Sequence, residues 1–194
     1  MRKKYCAVTD SEDISRILER CRIGRLATNG VDGFPYIVPL NFVYWRGSVY
    51  FHCARKGEKM DNIKRDPKVC FEVDIPLSYV GRECNSQLPP CQVHQLYHSV
   101  ILRGLAEIVE DIDEKVAALN ALMARHEERP DFDEIKADMT GVKICNVVAV
   151  RVESITAKSD LLQKKTDDEK NHVAEYLARR DLPGDSEAAS LLRR

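Results

Sequence analysis

The residues best suited to chemistry lie in one stretch, Val49 to Val73, VYFHCARKGEKMDNIKRDPKVCFEV. Arg55, Lys56 and Lys59 crowd around Gly57 in a tight cationic turn, and a helical pattern begins directly after it. A helix N-terminus presents unpaired N–H groups and a partial positive charge, so such a turn suits a phosphate. Gly57 lets the backbone come close to the ligand. The plain alternative is a solvated basic turn, since most lysines and arginines are simply exposed. His52 closes the strand before the turn. An imidazole with a pKa near 6.5 can donate a proton to a reducing group or hold an anion. Its plain alternative is a packed strand-end histidine bonded to backbone. A second set is Cys84, Cys91, His94 and His98, in the order C-x6-C-x2-H-x3-H. All four are zinc-ligand types, but the cysteines are spaced more widely than in zinc sites, so no metal is expected. Cys6, Cys21, Cys70 and Cys145 suit ordinary buried positions.

The elements that must position these groups are readable from periodicity. Val49 to Phe51 is strand-like, with His52 and Cys53 at its end. Met60 and Ile63 fall at helical spacing in Glu58–Arg65, and Asp66-Pro67 stops that helix. Val69, Phe71 and Val73 alternate as in a half-buried strand, after which the pattern dissolves into a long excursion over residues 75–96. Upstream, Thr9 and Glu12 form a capping-box pattern before a helix over about residues 11 to 22. A short strand over Arg25–Thr28 precedes a turn at Asn29–Gly33. Pro35 to Tyr44 is the next strand, placed at an edge because Pro35 and Pro39 lack amide donors. Arg46-Gly47 makes a hairpin turn into Val49. Downstream, Tyr97–Val109 is a strand with a close approach or bulge at Gly104. Asp111 or Asp113 caps a helix running to about residue 127, which Pro130 breaks. Phe132 to Met139 is expected to add a helical turn, and Lys143 to Ile155 the last strand.

Uneven strands and helices of this kind predict a mainly β (α+β) architecture: a six-stranded antiparallel β-barrel with flanking helices and a C-terminal helical tail. The expected organisation is a body over residues 1–158 and a charged tail over 159–194 that docks on the body or a partner, or frays. With 194 residues the chain can bury one good core. A net charge of −1 removes any global electrostatic case for nucleic acid or an anionic membrane. No apolar run reaches membrane-spanning length, and the Met-Arg-Lys-Lys start lacks the apolar segment of an export signal. The expectation is a cytoplasmic protein with reduced cysteines. Neither GxGxxG nor GxxxxGK[ST] occurs, which removes the commonest nucleotide-binding classes.

Four segments taken in order resemble a known family: Gly24-Arg25-Leu26-Ala27-Thr28, Pro35 to Phe42, Phe51-His52 to Lys59, and Tyr97-His98-Ser99-Val100 to Gly104. Together they look like the pyridoxamine-phosphate-oxidase-like, FMN-binding split barrels, and most resemble the 5-nitroimidazole-resistance branch. The resemblance spans about residues 1 to 160. It implies a split barrel forming a homodimer, with FMN sites at the subunit interface. By the same resemblance Lys59 binds the FMN phosphate, with Lys56, Gly57 and Met60 beside it. His52 and Cys53 lie next to the flavin, and the backbone of Ile37, Val38, Pro39, Leu40 and Asn41 runs along the isoalloxazine edge. Ser99 reaches the cofactor from the opposite subunit. Two departures stand out. Glu58 occupies the neighbouring phosphate-binding arginine position, and the C-terminal Trp and Arg element of true pyridoxamine-phosphate oxidases is missing, Trp45 being the only tryptophan. Pyridoxamine phosphate is therefore not the expected substrate.

The implied function is an FMN-dependent oxidoreductase passing electrons from a nicotinamide donor to a small acceptor, with nitroaromatic reduction implied by the branch and His52 as the catalytic proton donor. Two alternatives stay open: a haem-binding split barrel with His52 or His98 on the iron, and a flavin-binding module without catalysis.

Overall fold

The structure is a computed structural model that describes residues 3–84, 93–129 and 131–193. After a single helical turn at Lys4–Cys6, the strands are β1 (Ala7–Val8), β2 (Ile23–Asn29), β3 (Pro35–Asn41), β4 (Val43–Trp45), β5 (Ser48–Cys53), β6 (Lys68–Val80), β7 (His94–Ile108) and β8 (Asn146–Asp160). The helices are α1 (Ser11–Arg20), α2 (Glu58–Arg65), α3 (Ile112–His126), α4 (Thr140–Ile144), α5 (Asp167–Arg180) and α6 (Asp185–Leu192). The strands join in the order β3-β2-β6-β7-β8-β5-β4, with β1 paired on β8. β2 runs antiparallel to β3 and β6, and β5 antiparallel to β4 and β8.

The expected mainly β architecture with flanking helices is present, with eight strands among the described residues in place of six. The run from Pro35 to Tyr44 splits at Phe42, whose buried ring packs edge-on against Phe71 at 4.9 Å. Its carbonyl accepts a hydrogen bond from His126 and so is committed to a side chain. The second addition, β1, adds two residues opposite Ala157 and Lys158, which carries β8 to Asp160, beyond the Ile155 expected. β6 runs seven residues past Val73, because an exposed Pro76 is tolerated within it. β7 starts at His94 in place of Tyr97. β3 ends the strand order, as its prolines predict.

Two local expectations change. At α1 the Asp10 carboxylate, and not the Thr9 hydroxyl, accepts from the amides of Glu12 and Asp13. Residues 131–136 are not helical, because the Asn120 side chain bonds both the N–H and the C=O of Ile135; the short helix forms later, as α4. Asp111 caps α3 by accepting from the Glu114 amide. Pro130 lies outside the described residues.

By its internal packing the chain divides into two units. One comprises residues 18–73 and 101–155, so β5 and α2 fall within it. Its core includes Tyr50, Leu119, Leu122, Val142 and Val147. Gly104 is closely packed here: a Cβ would stand 2.0 Å from the Arg151 carbonyl oxygen, the close approach predicted from sequence.

The other unit comprises residues 1–17, 74–100 and 156–194, and here the tail is docked. Ala174, Leu177, Ala188, Ala189 and Leu192 of α5 and α6 pack around Leu77, Val80 and Leu96. Thr166 and Glu169 form a complete capping box for α5. The tail is locked by Asp185, whose side chain is fully buried and takes Arg180 at 2.6 and 2.8 Å, the Leu182 amide at 3.0 Å and the Ser78 hydroxyl. Arg180 leads in holding the Asp185 carboxyl down at about 2. A depressed carboxyl stabilises the fold above its unfolded value, near 3.9, and the gain is lost as pH falls through its folded value. The unit should therefore lose about 2 kcal/mol between pH 4 and pH 2. Acid titration followed by circular dichroism checks this: Asp185→Asn is expected to flatten that limb, and an unchanged limb would contradict the assignment.

Candidate functional site

β5 supplies the floor of the site. Ser48 to Phe51 are all buried, and the ladder with β8 sets Phe51 opposite Val148, His52 opposite Val147 and Cys53 opposite Asn146. After Cys53 the chain leaves the ladder as an exposed turn and reaches Gly57 at φ 124°, a conformation that suits glycine. Gly57 caps α2 with no side-chain hydrogen bond. Its carbonyl accepts from the amides of Met60 and Asp61, which leaves the N–H groups of Glu58 and Lys59 without intrahelical acceptors. α2 is held rigidly in place. Met60 and Ile63 are buried, and the buried Asn62 amide donates to the Thr28 hydroxyl at 3.1 Å.

A cavity of about 170 Å³ opens at this helix end, lined in part by Val38, Cys53, Lys56, Gly57, Lys59 and Met60. These six residues, expected around a cofactor, are thus brought together. The Lys59 ammonium lies 5.1 Å from the Phe51 ring centre, which steadies its half-buried stem. Arg55 takes another direction: its guanidinium donates to the Lys143 carbonyl, and it does not line the cavity. Burial pushes the Cys53 thiol up, with the Lys59 ammonium pulling the other way. It rests 3.4 Å from the Met60 sulfur and is a packing group, not a thiolate nucleophile.

His52 belongs to a different cavity. It is exposed, and with Asn41 it lines a space of about 570 Å³ walled by Leu119, Leu122, Met139 and Val142. Strand alternation explains the separation, since successive side chains at the end of β5 point to opposite faces. Along β3, Val38 and Leu40 are half-buried while Ile37, Pro39 and Asn41 are exposed. Ser99 is half-buried on β7, in the other unit. Sequence reasoning missed His126, which lines the same cavity as His52. Its ring bonds the Phe42 carbonyl at 2.9 Å and the Asn41 amide at 3.2 Å. Its only signal in the sequence is a position at the end of a helix, which carries no information about a partner 85 residues away.

Of the cysteine–histidine set, Cys84 and His94 line one cavity, while His98 turns to a hydroxyl. His94 bonds Asp160 at 2.8 Å, and His98 bonds Ser159 at 2.6 Å. Burial raises the Asp160 carboxyl, but Lys3 and His94 together hold it below the ordinary carboxylate range. Burial also raises the Cys84 thiol. Cys91 lies outside the described residues, and among those described no three His, Cys, Asp or Glu side chains are placed to hold a metal.

A family model described as pyridoxamine 5'-phosphate oxidase matches residues 10–159. A search of curated proteins returns no match. Among solved structures, the chain is similar to a Bacteroides thetaiotaomicron protein provisionally assigned to 5-nitroimidazole antibiotic resistance. The two are 25% identical over 79% of this chain and 86% of that one, with a TM-score of 0.66. A flavocytochrome from Azotobacter vinelandii is 18% identical over 82% of this chain and 71% of that one, at a TM-score of 0.68. A Mycobacterium smegmatis protein that binds FAD and haem is also 18% identical, over 84% and 78%, at a TM-score of 0.68. The last two similarities bear on the fold alone. The fold is the split barrel expected from the sequence.

Proposed function

The chain belongs to the pyridoxamine 5'-phosphate oxidase family, and from that premise we propose that it is an FMN-dependent oxidoreductase acting on a small acceptor. The observation that carries the proposal is the cavity at the uncapped N-terminus of α2, with Lys56 and Lys59 at its wall and Gly57 keeping the backbone open. Two ammonium groups and two free amides match a phosphate monoester in charge and geometry. Lys59 and Lys56 hold the phosphate, and β3 offers its backbone to the ring edge. Ser99 completes the site across a homodimer interface. Ile37 is 59% exposed on an edge strand, the kind of surface a second copy covers.

When bound, FMN supplies two-electron transfer between a nicotinamide donor and the acceptor. The protein's own contribution is on the His52 side. There the imidazole, beside largely apolar walls, delivers a proton to the oxygen of a reducing group, a nitroaromatic being the acceptor proposed. Glu58 lines the same cavity as Lys56 and Lys59 and offsets part of their charge.

Haem binding is the second reading, favoured by the fold shared with the flavocytochrome and the FAD- and haem-binding protein. Reconstitution separates the two. Protein incubated with FMN, FAD or haemin and then desalted is expected to retain FMN, with flavin absorbance bands at about one per chain. A Soret band with no flavin retained would replace this reading by the haem one. Retention of neither would overturn both.

A further inference from the structure

Asn41 and His126 form a hydrogen-bond chain whose direction is fixed at both ends by backbone. The Phe42 carbonyl can only accept, so the proton of His126 is on Nε2, 2.9 Å away. In the neutral ring Nδ1 is then a lone pair, and it accepts from Asn41 Nδ2 at 3.2 Å. The same Nδ2 donates to the Arg22 carbonyl at 3.4 Å. Both N–H bonds of the Asn41 amide are therefore committed. Turning the amide over would set its oxygen against the Arg22 oxygen and the Nδ1 lone pair. What Asn41 offers to the cavity it lines is its carbonyl oxygen, a hydrogen-bond acceptor.

Beyond Asn41 and His126 the cavity is lined by Leu119, Leu122, Met139 and Val142 together with His52 and Glu127, and its 570 Å³ is in the range of small-molecule sites. The apolar walls strip water from an ion at high cost and Glu127 disfavours an anion, so an uncharged guest is favoured. We propose that this cavity binds the electron acceptor as an uncharged ring compound carrying an N–H or O–H donor. Asn41 Oδ1 reads the donor, and His126 is the positioning residue that holds the Asn41 amide in the reading orientation. Only the description of the guest as an electron acceptor rests on the flavin reading above; the donor preference does not.

The test uses two probes, 4-nitroimidazole and 1-methyl-4-nitroimidazole, which differ in the N–H donor and the methyl group that replaces it, titrated calorimetrically into oxidised, FMN-loaded protein. The parent is expected to bind the N–H compound about tenfold more tightly, the value of one hydrogen bond. His126→Phe removes the Nδ1 lone pair and leaves the long 3.4 Å bond to the Arg22 carbonyl as the amide's remaining hold, so the preference should fall to within about threefold. His126→Gln restores it, since the new amide can donate to the Phe42 carbonyl and accept from Asn41. Equal binding of the two probes by the parent, binding of neither, or a full preference in His126→Phe overturns the proposal. If the parent takes up no FMN, the flavin reading fails on its own, and the same titration of the FMN-free protein still decides the donor preference.

Discussion

Lys59→Glu is expected to bind FMN at least a hundredfold more weakly than the parent chain. Lys59 lines the cavity at the start of α2, and no side chain caps that helix. The substitution removes a charge-assisted hydrogen bond, worth about 1.5–3 kcal/mol. It also places a carboxylate against the phosphate, beside the existing Glu58. Each tenfold in affinity is about 1.4 kcal/mol, so the loss of the bond alone approaches the stated factor. Lys64→Glu, in the last turn of the same helix, is the control and is expected to change affinity less than threefold. Flavin fluorescence titration reads both. Parent-like affinity in Lys59→Glu would show that the phosphate lies elsewhere.

His52→Ala is expected to leave FMN affinity nearly intact and to slow reoxidation of the reduced enzyme by nitroaromatic about a hundredfold. The expectation follows from the placement of His52 in a cavity separate from that lined by Lys56 and Lys59, with Cys53 against Met60 in the latter. His52 is exposed, so its loss removes little core packing and the rate effect is not masked by unfolding. Single-turnover reoxidation followed by flavin absorbance is the measurement. A rate per bound flavin equal to that of the parent would reduce His52 to scaffold.

The cavity at the start of α2 is legible in the sequence because it is local. Cys53 to Met60 are eight consecutive residues, and the glycine, the lysines and the helix start carry the geometry themselves. The period of two along β5 likewise separates His52 from Cys53. The larger cavity is not legible, because it depends on pairs distant in the chain. Asn41 meets His126 across 85 residues, and Arg55 turns to a carbonyl 88 residues away. The strand boundaries were hidden for similar reasons. Pro76 reads as a break yet sits exposed in β6, and Phe42 reads as strand yet turns inward onto Phe71. Whether the tail docks or frays is not decided by its sequence, because Ala174, Ala188 and Ala189, which pack with Leu177 and Leu192 around Leu77, Val80 and Leu96, are too small to widen its apolar stripe.

A phosphate held at the α2 turn is read out by comparing FMN with riboflavin in the reconstitution. The two ligands share the isoalloxazine ring and ribityl chain and differ only in the phosphate. The parent is expected to bind FMN at least a hundredfold more tightly than riboflavin, and Lys59→Glu to bring the two within about threefold of each other. Equal affinity of the parent for FMN and riboflavin would contradict it.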